Sequence, residues 1–256
     1  MKMYMLSITI FLLFISCSSP HNSQSPNNEL TIAAAANKQL AFTEIGRRFE
    51  EETGTNVTFS FGSSGQLAEQ IENGAPFDIF AAANIDFVDR LREQDLLIQE
   101  TETTYAYGRI GVATLPNTSF SINHLDDLLQ DDIKRIAIAN PDHAPYGLAA
   151  KETLVATGLW EDVESKLVYG RNINDTLTFI ETGNAEAGII ALSLYKEEKM
   201  DFFLIDDQLH EPLEHVIAVI NRTNAEELAR EFISFIKGPI GKPIMESYGF
   251  VVPEGK

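Results

Sequence analysis

Three short stretches of small and polar residues constrain this chain most, because each lies between an extended apolar run and a run of helical period. Ala33-Ala34-Ala35-Ala36-Asn37 follows Leu30-Thr31-Ile32, Gly62-Ser63-Ser64-Gly65 follows Val57 to Phe61, and Pro145-Tyr146-Gly147 follows Ile136 to Asn140. Strand-to-helix junctions in series call for sheets covered by helices. In open sheets of that kind ligands sit beyond the carboxyl ends of the strands, where these stretches fall. A helix N-terminus presents unpaired backbone N–H groups and the positive end of the helix dipole. Several such ends aimed at one crevice would hold a small oxyanion by dipoles alone. None of the three stretches contains Lys or Arg.

The rest of the pattern extends this frame. Ala41, Phe42, Ile45 and Phe49 recur at helical spacing with Gly54 as a stop, and Leu67 with Ile71 repeats the spacing before Gly74. Phe77 to Ala82 reads as a buried strand, Phe87 to Leu91 as a helix, and Tyr105 to Leu115 as one long extended run. A second series follows: strands at Ile136–Ala139, Leu167–Tyr169, Gly188–Leu192 and His215–Ile220, with helices at Leu148–Val155 and Leu177–Ile180. Helices over Ala225–Ile236 and Ile240–Tyr248 close the chain. Two βα series joined by two long extended segments predict an α/β protein of two lobes. Each lobe is a mostly parallel sheet flanked by helices, and two crossing strands join them. The expected first lobe is 29–107 plus 221–256, the second 108–220, with hinges near Tyr107 and Ile220.

The N-terminus has a different character. Lys2 precedes an apolar run from Met5 to Ile15, which has the length of a signal-peptide core and is too short to span a membrane. Residues 1–16 are read as a signal peptide. The small residue Ser16 before Cys17, the only cysteine, resembles a bacterial lipoprotein cleavage box and makes Cys17 the expected lipidation site. Residues 17–28, rich in Ser, Asn and Pro, read as a flexible lipidated tether. The reading is therefore extracytoplasmic: a protein lipid-anchored to a bacterial membrane, in the periplasm or at the cell surface. The formal net charge of −19 over 256 residues argues against nucleic acid, which needs clustered Lys and Arg. An acidic protein that takes an anion must do so locally, through aimed donors.

Each stretch also has a plainer reading: Asn37 as a helix cap, and the Gly62 and Pro145 stretches as turns. Asn, Ser, Tyr and backbone N–H are donors, which suits an anion that carries no proton. Asp142 and Asp175 lie near the proposed loops, so phosphate, which needs an acceptor, stays open at this level. A serine hydrolase would place Ser on a similar turn, but Gly62-Ser63-Ser64-Gly65-Gln66 lacks the closing Gly of the Gly-x-Ser-x-Gly elbow. His124, His143, His210 and His215 offer no evident base, and the five His lack metal-ligand spacing. No phosphate loop of the Gly-x-x-x-x-Gly-Lys type occurs. No enzymatic activity, cofactor or free metal cation is expected. Glu50-Glu51-Glu52 and Asp131-Asp132 read as solvated helix ends, and Trp160 as a packing residue in a helix–helix connection.

Taken in order, the motifs resemble those of the substrate-binding proteins of bacterial molybdate ABC transporters, over roughly Leu30 to Val252. The resemblance rests on Ala34-Ala35-Ala36-Asn37, Ser60 to Leu67 with Gln70-Ile71, Gly74 to Phe80, Asn140 to Gly147, Lys237-Gly238-Pro239 and Tyr248-Gly249-Phe250. It implies a two-lobed periplasmic-binding-protein fold of type II. It implies a monomer that closes on one molybdate or tungstate anion, with molybdenum bound as the oxyanion, and delivers it to a membrane permease. By position it carries ligand roles to Asn37, Ser64, Tyr146 and Ile173, with Ala36, Ser63, Asn172 and Ala191 as secondary positions. At Ala191 some members have a Tyr, so that contact is missing or replaced here, with Tyr146 as the candidate replacement. Sulfate and phosphate are the alternative ligands.

Overall fold

The computed structural model describes residues 28–254. The expected signal peptide, Cys17 and the tether up to residue 27 lie outside the described residues. Asn28, expected to end the tether, already belongs to the fold. Its carbonyl accepts the Asn56 N–H at 2.9 Å, and its side chain donates to the Gly54 carbonyl at 2.6 Å.

The first half is built on β1 (Glu29–Ala35), β2 (Asn56–Gly62), β3 (Ile79–Ala81) and β4 (Thr103–Tyr107), with β10 (Glu214–Val219) inserted, in the order β2-β1-β3-β10-β4. β1 pairs in parallel with β2 from Glu29↔Asn56 to Ala35↔Gly62, and with β3. β10 runs antiparallel to both β3 and β4. Alternate residues of β1 go to opposite faces, as strand geometry requires. Leu30, Ile32 and Ala34 meet Phe42, Ile45 and Phe49 of α1 (Gln39–Thr53) and Phe232 of α7 (Glu226–Lys237). Ala33, on the other face, packs with Leu67 and Ile71 of α2 (Ser64–Glu72) and Val88 and Leu91 of α3 (Asp86–Arg92). Apolar residues on both faces explain why β1 reads as a continuous hydrophobic run. α1 ends where Gly54 turns left-handed at φ 72°. α8 (Gly241–Ser247) packs beside α7 and α1, so the chain end returns to this half.

The second half repeats the plan in the order β7-β6-β8-β5-β9: Leu167–Gly170, Ile136–Ala139, Ala187–Ala191, Ile110–Thr114 and Asp201–Leu204. α4 (Pro145–Ala156), α5 (Trp160–Val163) and α6 (Ile173–Glu181) accompany it. In each sheet four strands share one direction, and the fourth in order is reversed. That reversed strand is the one that has just crossed over. β5 follows β4 through Gly108-Arg109, and β10 follows β9 through residues 205–213.

Two expectations change here. The run Tyr105–Leu115 is not one strand: it breaks at Gly108-Arg109, and its parts join different sheets. His215–Ile220, expected in the second lobe, pairs with Ile79–Ala81 of the first, so residues 214–220 leave the 108–220 segment and the return crossing precedes β10. A buried strand has the same apolar composition in either sheet, so its partner could not be read locally. β9, unforeseen, is a short edge strand whose Phe202 and Phe203 are only partly buried. Trp160 opens α5 partly buried, with the Lys151 ammonium 5.2 Å above its ring. Glu50 is not merely solvated, since its carboxylate accepts the Val57 N–H at 2.8 Å.

Candidate functional site

The three stretches meet. Ala35, Ala36 and Asn37 from the end of β1, Gly62, Ser63 and Ser64 from the end of β2, and Ala144, Pro145 and Tyr146 opening α4 line one small cavity with Ala83 and Ile173. It lies where the two halves touch, and the space open to the centre of a water-sized sphere is only about 10 Å³. The halves are tied around it. The Gly65 N–H donates to the His143 carbonyl at 2.9 Å, and Ser63 Oγ lies 2.9 Å from His143 Nδ1. Asn37 Nδ2 donates to the Tyr146 hydroxyl at 3.0 Å, and Ser193 Oγ donates to the Asn37 carbonyl at 2.8 Å. Asn174 donates to Gln39 at the rim. Gly65 is required at this seam: a Cβ there would lie 2.8 Å from the His143 carbonyl oxygen. With these contacts in place the halves are closed on the cavity.

Local chemistry places donors at this cavity. The backbone N–H groups of Asn37, Ser64 and Ile173 sit in the first turns of helical segments, where the helix offers no acceptor. Ser64 is fully buried, and its Oγ accepts the Ala83 N–H at 3.0 Å, which leaves its own proton for a ligand. Tyr146 reaches the same condition through a buried triad. Its hydroxyl takes the Asn37 amide hydrogen and lies 3.2 Å from His215 Nε2. His215 is fully buried, and burial, helped by the nearby Lys38, pushes its pKa well below the usual imidazole value, so the ring is neutral. Its Nδ1 has no partner among the described residues. In the Nε2–H tautomer the ring donates to Tyr146, which then accepts two hydrogens and keeps its own O–H free for a ligand. Burial holds that phenol far above its ordinary pKa against a smaller opposing pull from Asn37, so it remains a donor.

Asn37, Ser64, Tyr146 and Ile173 thus line one cavity, as do the secondary positions Ala36 and Ser63. The Asn37 side chain gives one amide hydrogen to Tyr146 and accepts at Oδ1 from Lys38, which leaves its second amide hydrogen and its backbone N–H as candidate donors. Asn172 and Ala191 do not line the cavity. Asn172 caps α6 by accepting the N–H groups of Asn174 and Asp175, and it borders a larger open groove with Gln66 and Arg171. Ala191 ends β8 fully buried, and Ser193, two residues on, makes the contact to Asn37.

The sequence reading missed Lys38, Ala83, Ser193 and His215. Lys38 adjoins a stretch noted for lacking cations, yet it is fully buried with its Nζ 3.0 Å from the Ala82 carbonyl oxygen and 3.5 Å from Asn37 Oδ1. Its adjacency to Asn37 was the available signal. Asp142 is exposed and Asp175 pairs with Arg171 at 2.7 Å; among the described residues no carboxylate lines the cavity. The seryl contact of His143 is to Ser63, which caps α2, and among the described residues no carboxylate is bonded to that imidazole. Among the described residues no group of three His, Cys, Asp or Glu is placed to hold a metal ion.

Residues 30–251 match the family described as bacterial extracellular solute-binding protein. The molybdate-binding protein ModA of Azotobacter vinelandii is 34% identical over 230 residues, covering 87% of this chain and 89% of that protein. The putative ABC transporter substrate-binding lipoprotein YvgL of Bacillus subtilis is 29% identical, over 97% of each chain. Among solved structures, the periplasmic molybdate-binding protein of Azotobacter vinelandii superposes with a TM-score of 0.83 at 27% identity, covering 88% of this chain and all of that one.

Proposed function

This chain belongs to the bacterial extracellular solute-binding proteins, and we propose that it captures molybdate or tungstate between its two halves and delivers the anion to an ABC transporter permease. The observation that carries the reading is the set of donors converging where the halves meet, with no carboxylate among them. Molybdate, tungstate and sulfate are fully ionised near neutral pH and need donors only. Phosphate retains a proton and needs an acceptor, so the lining disfavours it. The identity to proteins named for molybdate supports the larger anions over sulfate.

In this reading Ser64 and Tyr146 give hydroxyl protons, and Asn37, Ser64 and Ile173 give backbone N–H groups. Ala36 and Ser63 complete the wall. The lobes are 29–107 with 214–254, and 110–204, and the two crossings between them act as the hinge. The protein is a monomer without catalytic activity. Residues 1–16 are removed, Cys17 carries the lipid, and the following residues tether the binding domain to the membrane. The name of the Bacillus subtilis relative, a lipoprotein, supports that anchor.

Calorimetric titration of purified protein with molybdate, tungstate, sulfate and phosphate tests the reading. Saturable 1:1 binding of the first two, with the others much weaker, is expected. A clear preference for phosphate would overturn it.

A further inference from the structure

We propose that Lys38 is the buried counter-charge of this site: a positioning residue behind Asn37 that makes the cavity prefer doubly over singly charged oxyanions. The inference rests on the oxyanion reading above. Lys38 is 0% exposed, one of the largest side chains so fully buried among the described residues, in a protein otherwise dominated by acidic residues. Its Nζ has two acceptors, the Ala82 carbonyl and Asn37 Oδ1. Both attach to the cavity wall, since Asn37 lines it and Ala82 precedes Ala83, which also does. No carboxylate lies within salt-bridge distance of Lys38 among the described residues. The titratable groups buried nearby are His215, Tyr105 and Tyr146, none of which supplies a negative charge.

An ammonium enclosed this way is costly unless an anion joins it. Burial alone pushes the Lys38 amine well below its usual pKa, and an opposite charge close by favours the charged form again. The anion held by the wall supplies that charge. Dipoles from hydroxyl and backbone donors already attract any oxyanion. A fixed cation adds a further attraction that scales with ligand charge, so it is twice as large for a dianion as for a monoanion. Lys38 does not line the cavity, so it acts across Asn37 and through the field rather than by direct contact.

The test compares tungstate with perrhenate, tetrahedral ions of nearly the same size that carry two charges and one. Calorimetry on the wild-type protein should give much tighter binding of tungstate. Lys38→Met and Lys38→Gln, each checked for cooperative thermal unfolding, should shrink the tungstate-to-perrhenate affinity ratio by about tenfold or more. A residue that only fills space would lower both affinities together and leave the ratio alone. An unchanged ratio in either folded variant overturns the proposal while leaving the oxyanion reading intact. Equal wild-type affinity for the two ions overturns it without any variant. A wild-type protein that binds no oxyanion overturns both readings.

Discussion

Gly65→Ala isolates the closing of the two halves from the folding of either. Gly65 lies in the first turn of α2, and its N–H donates to the His143 carbonyl of the opposite half at 2.9 Å. An added Cβ would stand 2.8 Å from that carbonyl oxygen, 2.9 Å from His143 Cβ and 2.8 Å from Phe87 Cζ. The Phe87 ring belongs to the same half and can turn. The His143 carbonyl is backbone, so it can retreat only if the halves separate by a few tenths of an ångström. Overpacking of this kind costs ~1–3 kcal/mol. Stretching the Gly65–His143 bond forfeits part of a further ~0.5–1.5 kcal/mol. Both costs fall on the closed, loaded form only. Taking the overpacking term alone, affinity for molybdate should fall roughly 5- to 150-fold. In the open form the same methyl sits in a helix, where replacing Gly gains up to ~1 kcal/mol. Thermal unfolding without ligand should therefore hold or rise while calorimetric affinity drops. Wild-type affinity in Gly65→Ala would refute the reasoning, because the seam would then be irrelevant to the bound state.

Three further outcomes follow from the same geometry. Ser64→Ala removes a hydroxyl donor to a buried dianion, worth roughly 1.5–3 kcal/mol, so affinity should fall about tenfold or more by calorimetry. It also strips the Ala83 N–H of its acceptor, which should lower the unliganded melting temperature as well, and wild-type affinity would remove Ser64 from the site. Saturating molybdate should compact the protein in solution scattering, and at ~100 times its dissociation constant it should add ~2.7 kcal/mol of stability; an unchanged radius of gyration would argue for a preformed cage. Cys17→Ala should abolish lipid attachment and release the protein from the membrane, and mass spectrometry finding a mature N-terminus other than Cys17 would refute the anchor.

Local pattern settles which segments form helices and strands, and roughly where a ligand would sit. Helix and strand periods are local: Phe42, Ile45 and Phe49 must share a face of α1 whatever they pack against, and Ile136–Ala139 is apolar at every position because both faces of β6 are covered. The junctions after β1, β2 and β6 were legible for the same reason, since a helix that starts just after a strand declares its N-terminus in a few residues. Tertiary structure decided what lies opposite what. His215–Val219 could serve either sheet, and only pairing with Ile79–Ala81 assigns it to the first. Asn172 and Ala191 stood at plausible positions, yet the cavity closes without them because one caps its own helix and the other is spent inside the second core. The charge of the site was least visible. Lys38 reads as an ordinary surface residue at the start of an amphipathic helix, and its adjacency to Asn37 does not by itself say that its amine turns inward between Ala82 and Asn37. Burial depends on every element that surrounds a side chain, so the environment of a single cation is set by contacts from distant parts of the chain that no window of neighbouring residues contains.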